Sequence, residues 1–224
     1  MADMTQAETP EGLSDPVFFG SLKDLNFPAH AVVIADQDLP SNLLEHFPDA
    51  LLVQAGEGLK SLSAVENLAR RVLEHQSSRP MTLVAVGGGS LGDAVGFLAS
   101  VLWRGVDLWH IPTTLLAMVD SAHGGKTAVN LGDAKNQLGT FYTASRVVIA
   151  EECLKLLPLA QRESGLAELL KALWLGAPES LELWEEVGGN DLSSLPFSHV
   201  REPLLELLRR AIDVKLDIVE RDPR

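Results

Sequence analysis

Leu83-Val84-Ala85-Val86-Gly87-Gly88-Gly89-Ser90-Leu91-Gly92-Asp93 is the stretch on which the fold of this 224-residue chain turns. It predicts a buried strand over 83–86, three glycines, a short turn to Gly92-Asp93, and an apolar helix to about Trp103. Glycines between a buried strand and a helix let the backbone approach a phosphate closely. The free N–H groups and positive dipole end of the helix then face the anion. A second apolar run, 108–111, leads to Pro112-Thr113-Thr114 and to Asp120-Ser121-Ala122-His123-Gly124-Gly125-Lys126-Thr127. That second glycine pair, beside a lysine and a threonine, is another place to hold an anion. Two such devices within 45 residues point to a phosphorylated cofactor or substrate.

Upstream, Ala-Val-Val-Ile-Ala at 31–35 is a buried strand by its β-branched run, and Asp36-Gln37-Asp38 follows its carboxyl end. Ligands of open α/β sheets bind beyond such ends, so Asp36 is a candidate for a ribose hydroxyl, although an acidic loop residue can equally be solvated. A short strand at 51–53 leads to Gly56-Glu57-Gly58-Leu59-Lys60-Ser61. There a Glu57–Lys60 surface pair is the plainest reading. Leu62, Val65, Leu68, Ala69 and Val72 fall at helical spacing. Strand alternating with helix through 83–86 predicts an α/β sheet with right-handed crossovers.

Downstream, 146–149 is a further strand and Pro158 a break. Beyond it the pattern turns helical. Residues 165–176 carry Leu166, Leu169, Leu170, Leu173 and Trp174 on an apolar side. Residues 203 to about 220 carry Leu204, Leu208, Ala211, Ile212 and Val219, with Pro203 in the first turn. The expected organisation is a polar tail over 1–14, an α/β domain over 15–157, and a helical segment over 158–224, thin for an independent core.

Hydrophobic content of 46% with 22% charged residues is ordinary for a globular protein. Asp93 and Arg104 bracket the longest apolar run, which is too short for a membrane span. The acidic start lacks the basic and apolar regions of a signal peptide, giving a cytoplasmic expectation and no membrane partner. Cys153 is alone, so no disulfide framework or cysteine metal cluster is expected. A net charge of −13 argues against nucleic acid. The charge is uneven: residues 101–171 hold seven basic and seven acidic side chains, a neutral centre suited to a small anionic ligand.

Gly124-Gly125-Lys126-Thr127 resembles the end of a P-loop, but the pattern needs a glycine where Asp120 stands, and a P-loop NTPase is rejected. The first glycine loop, taken alone, implies only that a phosphate is plausible. Glu168 and Lys171 lie three apart on a helix and read as either a surface pair or a buried carboxylate seeking a cation or metal. His30, His46, His75, His110, His123 and His199 show no ligand spacing; His123, among the glycines, has the best claim to a role.

Taken together, residues 87–93, Arg104-Gly105, 111–117, Val119-Asp120-Ser121, 124–127, Lys135-Asn136, Gly139, Phe141-Tyr142 and 165–171 resemble the 3-dehydroquinate synthase family of the sugar-phosphate cyclases. The likeness extends to Gly56-Glu57, Lys60-Ser61, Lys215, Val219-Glu220 and Asp222. The resemblance implies a Rossmann-like NAD-binding domain followed by the start of a helical, metal-binding domain. It also implies an NAD- and divalent-metal-dependent lyase of the shikimate route to chorismate and aromatic amino acids, using zinc or cobalt. Such enzymes close 3-deoxy-D-arabino-heptulosonate 7-phosphate to 3-dehydroquinate and phosphate by transient oxidation, elimination, reduction and aldol closure.

Residue by residue, the resemblance assigns Asp36, Glu57, Lys60, Gly88, Gly89, Ser90, Asp93, Thr113, Thr114 and Leu116 to NAD. Asp120, Ser121 and Lys135 fall near the nicotinamide and reacting hydroxyl. Lys126, Asn136 and Lys171 hold phosphate and carboxylate, Lys215 touches the substrate ring, and Arg104 reaches in from a neighbouring subunit of a homodimer. Glu168 is a metal ligand. Leu156 and Gln161 replace a usual threonine and glutamate on the cofactor side, Asp38 stands where asparagine is common, and two metal-binding histidines of the family fall after Arg224. Two alternatives stand beside this reading: a cyclase acting on another sugar phosphate, and a non-catalytic NAD-binding module.

Overall fold

A computed structural model describes residues 16–189 and 194–222; the tail expected over 1–14 lies outside them. Six parallel strands form the main sheet: β1 (Val17–Gly20), β2 (Ala31–Asp36), β3 (Leu51–Val53), β4 (Thr82–Gly87), β5 (Asp107–Pro112) and β8 (Arg146–Ala150), in spatial order β1-β8-β5-β4-β2-β3. The central strand β4 is buried at all six positions, as expected of a parallel strand covered on both faces. From β2 the chain steps outward to β3 and then returns to the other side of β2 as β4. The order thus reverses between β2 and β4, where a crevice opens at the carboxyl ends. Register sets the rim of that crevice: Ala35 pairs with Val86, Asp36 with Val53, and Gly87 with Pro112.

Helices α1 (Ser41–Leu44), α2 (Leu62–His75), α3 (Gly89–Val101) and α4 (Glu151–Lys155) join the strands. Ser61 caps α2 by accepting from the Ala64 N–H at 3.2 Å, and Val65, Leu68 and Val72 are its buried stripe. Leu62, expected on that stripe, is exposed at the first position of the helix. The helix α3 starts at Gly89 and not after Asp93, so Gly92 and Asp93 belong to its first turns; it ends at Val101, two residues before Trp103.

Two strands were not foreseen besides β1. A two-residue turn with Gly132 at φ 57° joins β6 (Lys126–Leu131) to β7 (Ala134–Phe141), an antiparallel ribbon separate from the main sheet. It lies across α3: Thr127 packs on Gly96, and Thr140 Oγ1 donates to Ser100 Oγ at 2.8 Å.

After β8 the described elements are helical: α4, α5 (Leu159–Gly176), α6 (Leu181–Glu186) and α7 (Phe197–Arg221). Pro158 caps α5 as the break predicts. In contrast, α7 begins six residues before Pro203, which sits inside the helix and not in its first turn. Leu166, Leu169 and Leu173 of α5 are buried, joining one continuous core with Leu207, Leu208 and Ala211 of α7 and the sheet. Trp174, expected on the same side, is 70% exposed, since α7 closes on α5 through Gly176 and Val214 and leaves the opposite face open. No described helix is long and apolar enough to cross a membrane.

Candidate active site

The crevice at the strand reversal has a volume of about 560 Å³ and is lined by Asp36, Gly56, Gly88, Gly89, Ser90, Thr113 and Thr114, with Leu156 and Gln161 on the far wall. Each near-wall residue ends or follows a sheet strand, which is why residues far apart in sequence converge. Asp36 accepts from the Asp38 N–H at 3.1 Å, shaping the loop after β2, and Ser90 Oγ accepts from the Gly56 N–H at 3.1 Å, tying the loop after β3 to the glycine turn. A Cβ on Gly88 would stand 3.3 Å from Thr114 Cγ2, and one on Gly89 3.0 Å from Ser121 Oγ. The space beside those backbones is therefore a cradle that any larger side chain would fill. Gly87, Gly89 and Gly92 keep the G-x-G-x-x-G spacing between a strand and a helix. That count corrects the weaker, phosphate-only expectation for the loop.

A second recess, about 430 Å³, opens on the other side of Asp93 and Ser121. Its walls include Asp120, Lys126, Thr127, Asn136, Phe141 and Lys215. Asp120 is the penultimate residue of a π-helical turn (Ala117–Ser121), a geometry that recurs at functional sites, and meets Lys215 Nζ of α7 at 2.5 Å. Lys126 opens β6, and among the described residues it forms no ion pair, so its ammonium is available to an anion. Lys171 is exposed on α5 and receives its partner from the same helix: its Nζ donates to Glu168 Oε1 at 2.6 Å, and that carboxylate raises its pKa.

Lys60 departs from the surface-pair reading. It is 4% exposed, and its ammonium donates at 2.5 Å to both Asp93 and Asn136 Oδ1. Burial outweighs that cation, and the Asp93 carboxyl titrates above the usual carboxylate range. Asn136 holds a left-handed backbone, φ 55°, stabilised by its N–H donating to Asn130 Oδ1 at 2.9 Å. Glu57 instead accepts from Asn130 Nδ2 at 2.8 Å, which lowers its pKa, and stands 3.5 Å from Lys135 on the exposed ribbon.

Not all expected residues converge. Lys135 sits outside both recesses, and Leu116 turns 43% of its surface to solvent. Arg104 lies beyond the far end of α3, exposed, in a left-handed turn with Trp103 (φ 50° and 66°). The Arg79 guanidinium donates to the carbonyls of Trp103 and Gly105 and holds that turn. Glu168 is held by Lys171, and among the described residues no three acidic, cysteine or histidine side chains converge as a metal site.

Sequence reasoning passed over His110. It is buried beneath the glycine loop near His123, and burial pushes both imidazoles down to about 4. The apolar run around His110 gave no reason to separate it from the strand core.

Comparison with known proteins adds the family. A family model described as 3-dehydroquinate synthase N-terminal matches residues 50–164. The 3-dehydroquinate synthases of Prochlorococcus marinus and Methylacidiphilum infernorum are each 38% identical, over 174 and 177 residues. These alignments take in 78% and 79% of this chain and 47% and 46% of the relatives, so the chain spans about half the length of the curated relatives it matches. Among solved structures, ValA (2-epi-5-epi-valiolone synthase) of Streptomyces hygroscopicus with NAD+ and Zn2+ bound aligns with TM-score 0.77 and 26% identity, over 97% of this chain and 64% of that one. A 2-deoxy-scyllo-inosose synthase complexed with carbaglucose-6-phosphate, NAD+ and Co2+ gives 0.72 and 29%, over 91% and 60%. Glycerol dehydrogenase from Schizosaccharomyces pombe, at 16% identity and 0.62, shares the fold alone. With the matched residues covering β3 through the start of α5, and so the glycine loop and most of both recesses, the chain belongs to the 3-dehydroquinate synthase family.

Proposed function

We propose that this chain carries the cofactor-binding half of a 3-dehydroquinate synthase, a phosphate-eliminating lyase that converts 3-deoxy-D-arabino-heptulosonate 7-phosphate to 3-dehydroquinate in the shikimate route. The observation that supports this best is the pair of recesses, one glycine-walled and one lysine-walled, on either side of a small pit that shares Gly88 and Gly89 with the first and Asp93 and Ser121 with the second. NAD fits the first: the bare backbones of Gly88 and Gly89 and the start of α3 suit a pyrophosphate, and Asp36 suits a ribose hydroxyl. Bound there, NAD supplies a hydride acceptor that is restored within each cycle.

The chain's own residues account for the rest of the proposal. Lys126 and Asn136 would hold the substrate phosphate, whose departure an unpaired ammonium favours by stabilising developing negative charge. The Asp120–Lys215 pair would orient a ring hydroxyl at the boundary with the nicotinamide, with Lys171 taking the carboxylate. Lys60 would act on NAD indirectly, by fixing Asp93 in the first turns of α3. Leu156 and Gln161 leave the far wall of the crevice without the charge of a glutamate, and we assign them a weaker hold on the cofactor.

A divalent metal, zinc or cobalt, is proposed on the strength of the two metal-bound neighbours, with Glu168 as a ligand. Among the described residues no three acidic, cysteine or histidine side chains converge, whereas zinc normally takes three protein ligands and an open position. No chemical step is routed through the ion. The proposed assembly is a cytoplasmic homodimer in which Arg104 serves the neighbouring copy; its exposure, with no ion pair among the described residues, supports this.

Phosphate release from the heptulosonate phosphate, with NAD and zinc, tests the proposal, comparing the parent protein with Glu168→Ala. Loss of turnover in the variant is expected, and unchanged activity would overturn the metal assignment. The two cyclase neighbours favour a second reading, closure of another sugar phosphate. Turnover of glucose 6-phosphate in place of the heptulosonate would establish it. NAD binding with no release from either substrate would favour the non-catalytic module.

A further inference from the structure

The two recesses communicate through a pit beneath the glycine loop, with room for about one water molecule. Gly87, Gly92, His110, Ser121, Ala122 and Lys126 wall it. His123 stands beside it, 4% exposed, in the segment linking the π-helical turn to Lys126.

The turn over Ala117–Ser121 has an unusual hydrogen-bond pattern. The Ala122 N–H donates five residues back to the Ala117 carbonyl at 3.1 Å, and the His123 N–H donates to Asp120 at 3.2 Å. Neither serves the carbonyl of Met118, a fully buried residue. The His123 ring does so instead, with Nε2 2.7 Å from that oxygen. A carbonyl oxygen only accepts, so the ring must carry its proton on Nε2 and, when neutral, present Nδ1 as an acceptor. The side chain therefore gives a buried carbonyl a donor that neither of the two amides following the turn supplies.

The last two residues of that turn carry the geometry of both recesses. Asp120 pairs with Lys215 at 2.5 Å on the substrate side, and Ser121 Oγ packs against Gly89 on the cofactor side. We propose that His123 is a positioning residue, whose Nε2–H closes the π-helical turn and so holds Asp120 against Lys215 and Ser121 against Gly89 in one fixed relation. This rests on reading the recesses as a cofactor and substrate pair.

The test compares the parent protein with His123→Leu, which fills the volume without a donor, and His123→Gln, which restores an N–H. In the Leu variant kcat for phosphate release should fall about tenfold with substrate KM changed less than twofold, NAD affinity should weaken several-fold, and the amides of residues 120–122 should exchange faster. The Gln variant should recover most of each. A folded Leu variant with parental kcat, NAD affinity and amide protection would overturn the proposal. Long-range 1H–15N spectra of the parent imidazoles give a readout free of turnover and of any folding failure: an Nε2–H tautomer at His123 supports the cap, and Nδ1–H refutes it. If the parent releases no phosphate but tautomer and exchange behave as stated, the functional reading fails while the positioning role stands.

Discussion

Replacing Lys60 by methionine keeps the buried stem and removes only the ammonium that bridges Asp93 and Asn136. Removing one partner of a buried ion pair costs about 3–5 kcal/mol, because the other charge stays desolvated. Asp93 retains 22% exposure, so solvent screens part of that loss and about 2–3 kcal/mol is the appropriate expectation. For a chain of this size that lowers the melting temperature by roughly 5–10 °C. The pH dependence is specific. Asp93 already titrates above its ordinary 3.8 because burial outweighs Lys60, and without Lys60 it rises further. A carboxyl whose folded pKa is raised weakens the fold as pH rises through that pKa, so Lys60→Met should lose more at pH 7 than at pH 5. Urea melts at the two pH values measure this, and adding Asp93→Asn should return most of the lost stability. Equal losses at both pH values, with no recovery in the double variant, would refute the buried-pair reasoning.

The two buried imidazoles predict acid sensitivity. His110 and His123 titrate near 4 against an ordinary 6.5, so the folded protein binds fewer protons than the unfolded chain between those values. Their contribution is complete above about 6.5 and lost as pH falls through 4, roughly 3 kcal/mol each at most, and urea midpoints in the His110→Gln variant should depend less steeply on pH. Gly165→Ala places a methyl 2.3 Å from Leu115 Cβ and 2.8 Å from the Leu116 nitrogen, and should cost about 1–3 kcal/mol in thermal unfolding by pushing α5 off the π-helical turn. Gly89→Val drives a side chain into Ser121 and the crevice; calorimetric NAD affinity should fall at least tenfold, on the order of 1.4 kcal/mol, and parental affinity would remove the pyrophosphate from this loop.

Much of the glycine-walled crevice was legible because it is local. Asp36, Gly88, Gly89, Thr113 and Thr114 each follow a β-branched or apolar run, and a parallel sheet brings such strand ends together without further instruction. The lysine-walled recess was not local. Asp120 with Lys215 and Lys60 with Asp93 and Asn136 are pairs separated by long stretches of chain, and only the family resemblance had placed Asp120, Lys126, Asn136 and Lys215 around a shared substrate. The β6–β7 ribbon escaped notice because β7 is exposed along most of its length, so its residues do not alternate between core and solvent. Trp174 and Leu62 fit helical spacing yet face water, because periodicity gives the apolar side of a helix but not how far its neighbours reach. Pro203 was placed in a first turn on propensity, whereas the packing of Val200, Leu204 and Leu207 carries α7 through it.

The ribbon across α3 also offers a way to watch the site at work. Its tip, Gly132-Asp133, is exposed, and a Cβ on Gly132 would meet nothing within 4 Å, so a small fluorescent label or inserted peptide there disturbs no packing. Lys126 opens one strand of the ribbon, while Lys135 and Asn136 lie just past its tip on the other. A label at the tip is thus mechanically continuous with the side chains proposed to grip the phosphate, and its emission would serve as a built-in gauge of substrate capture.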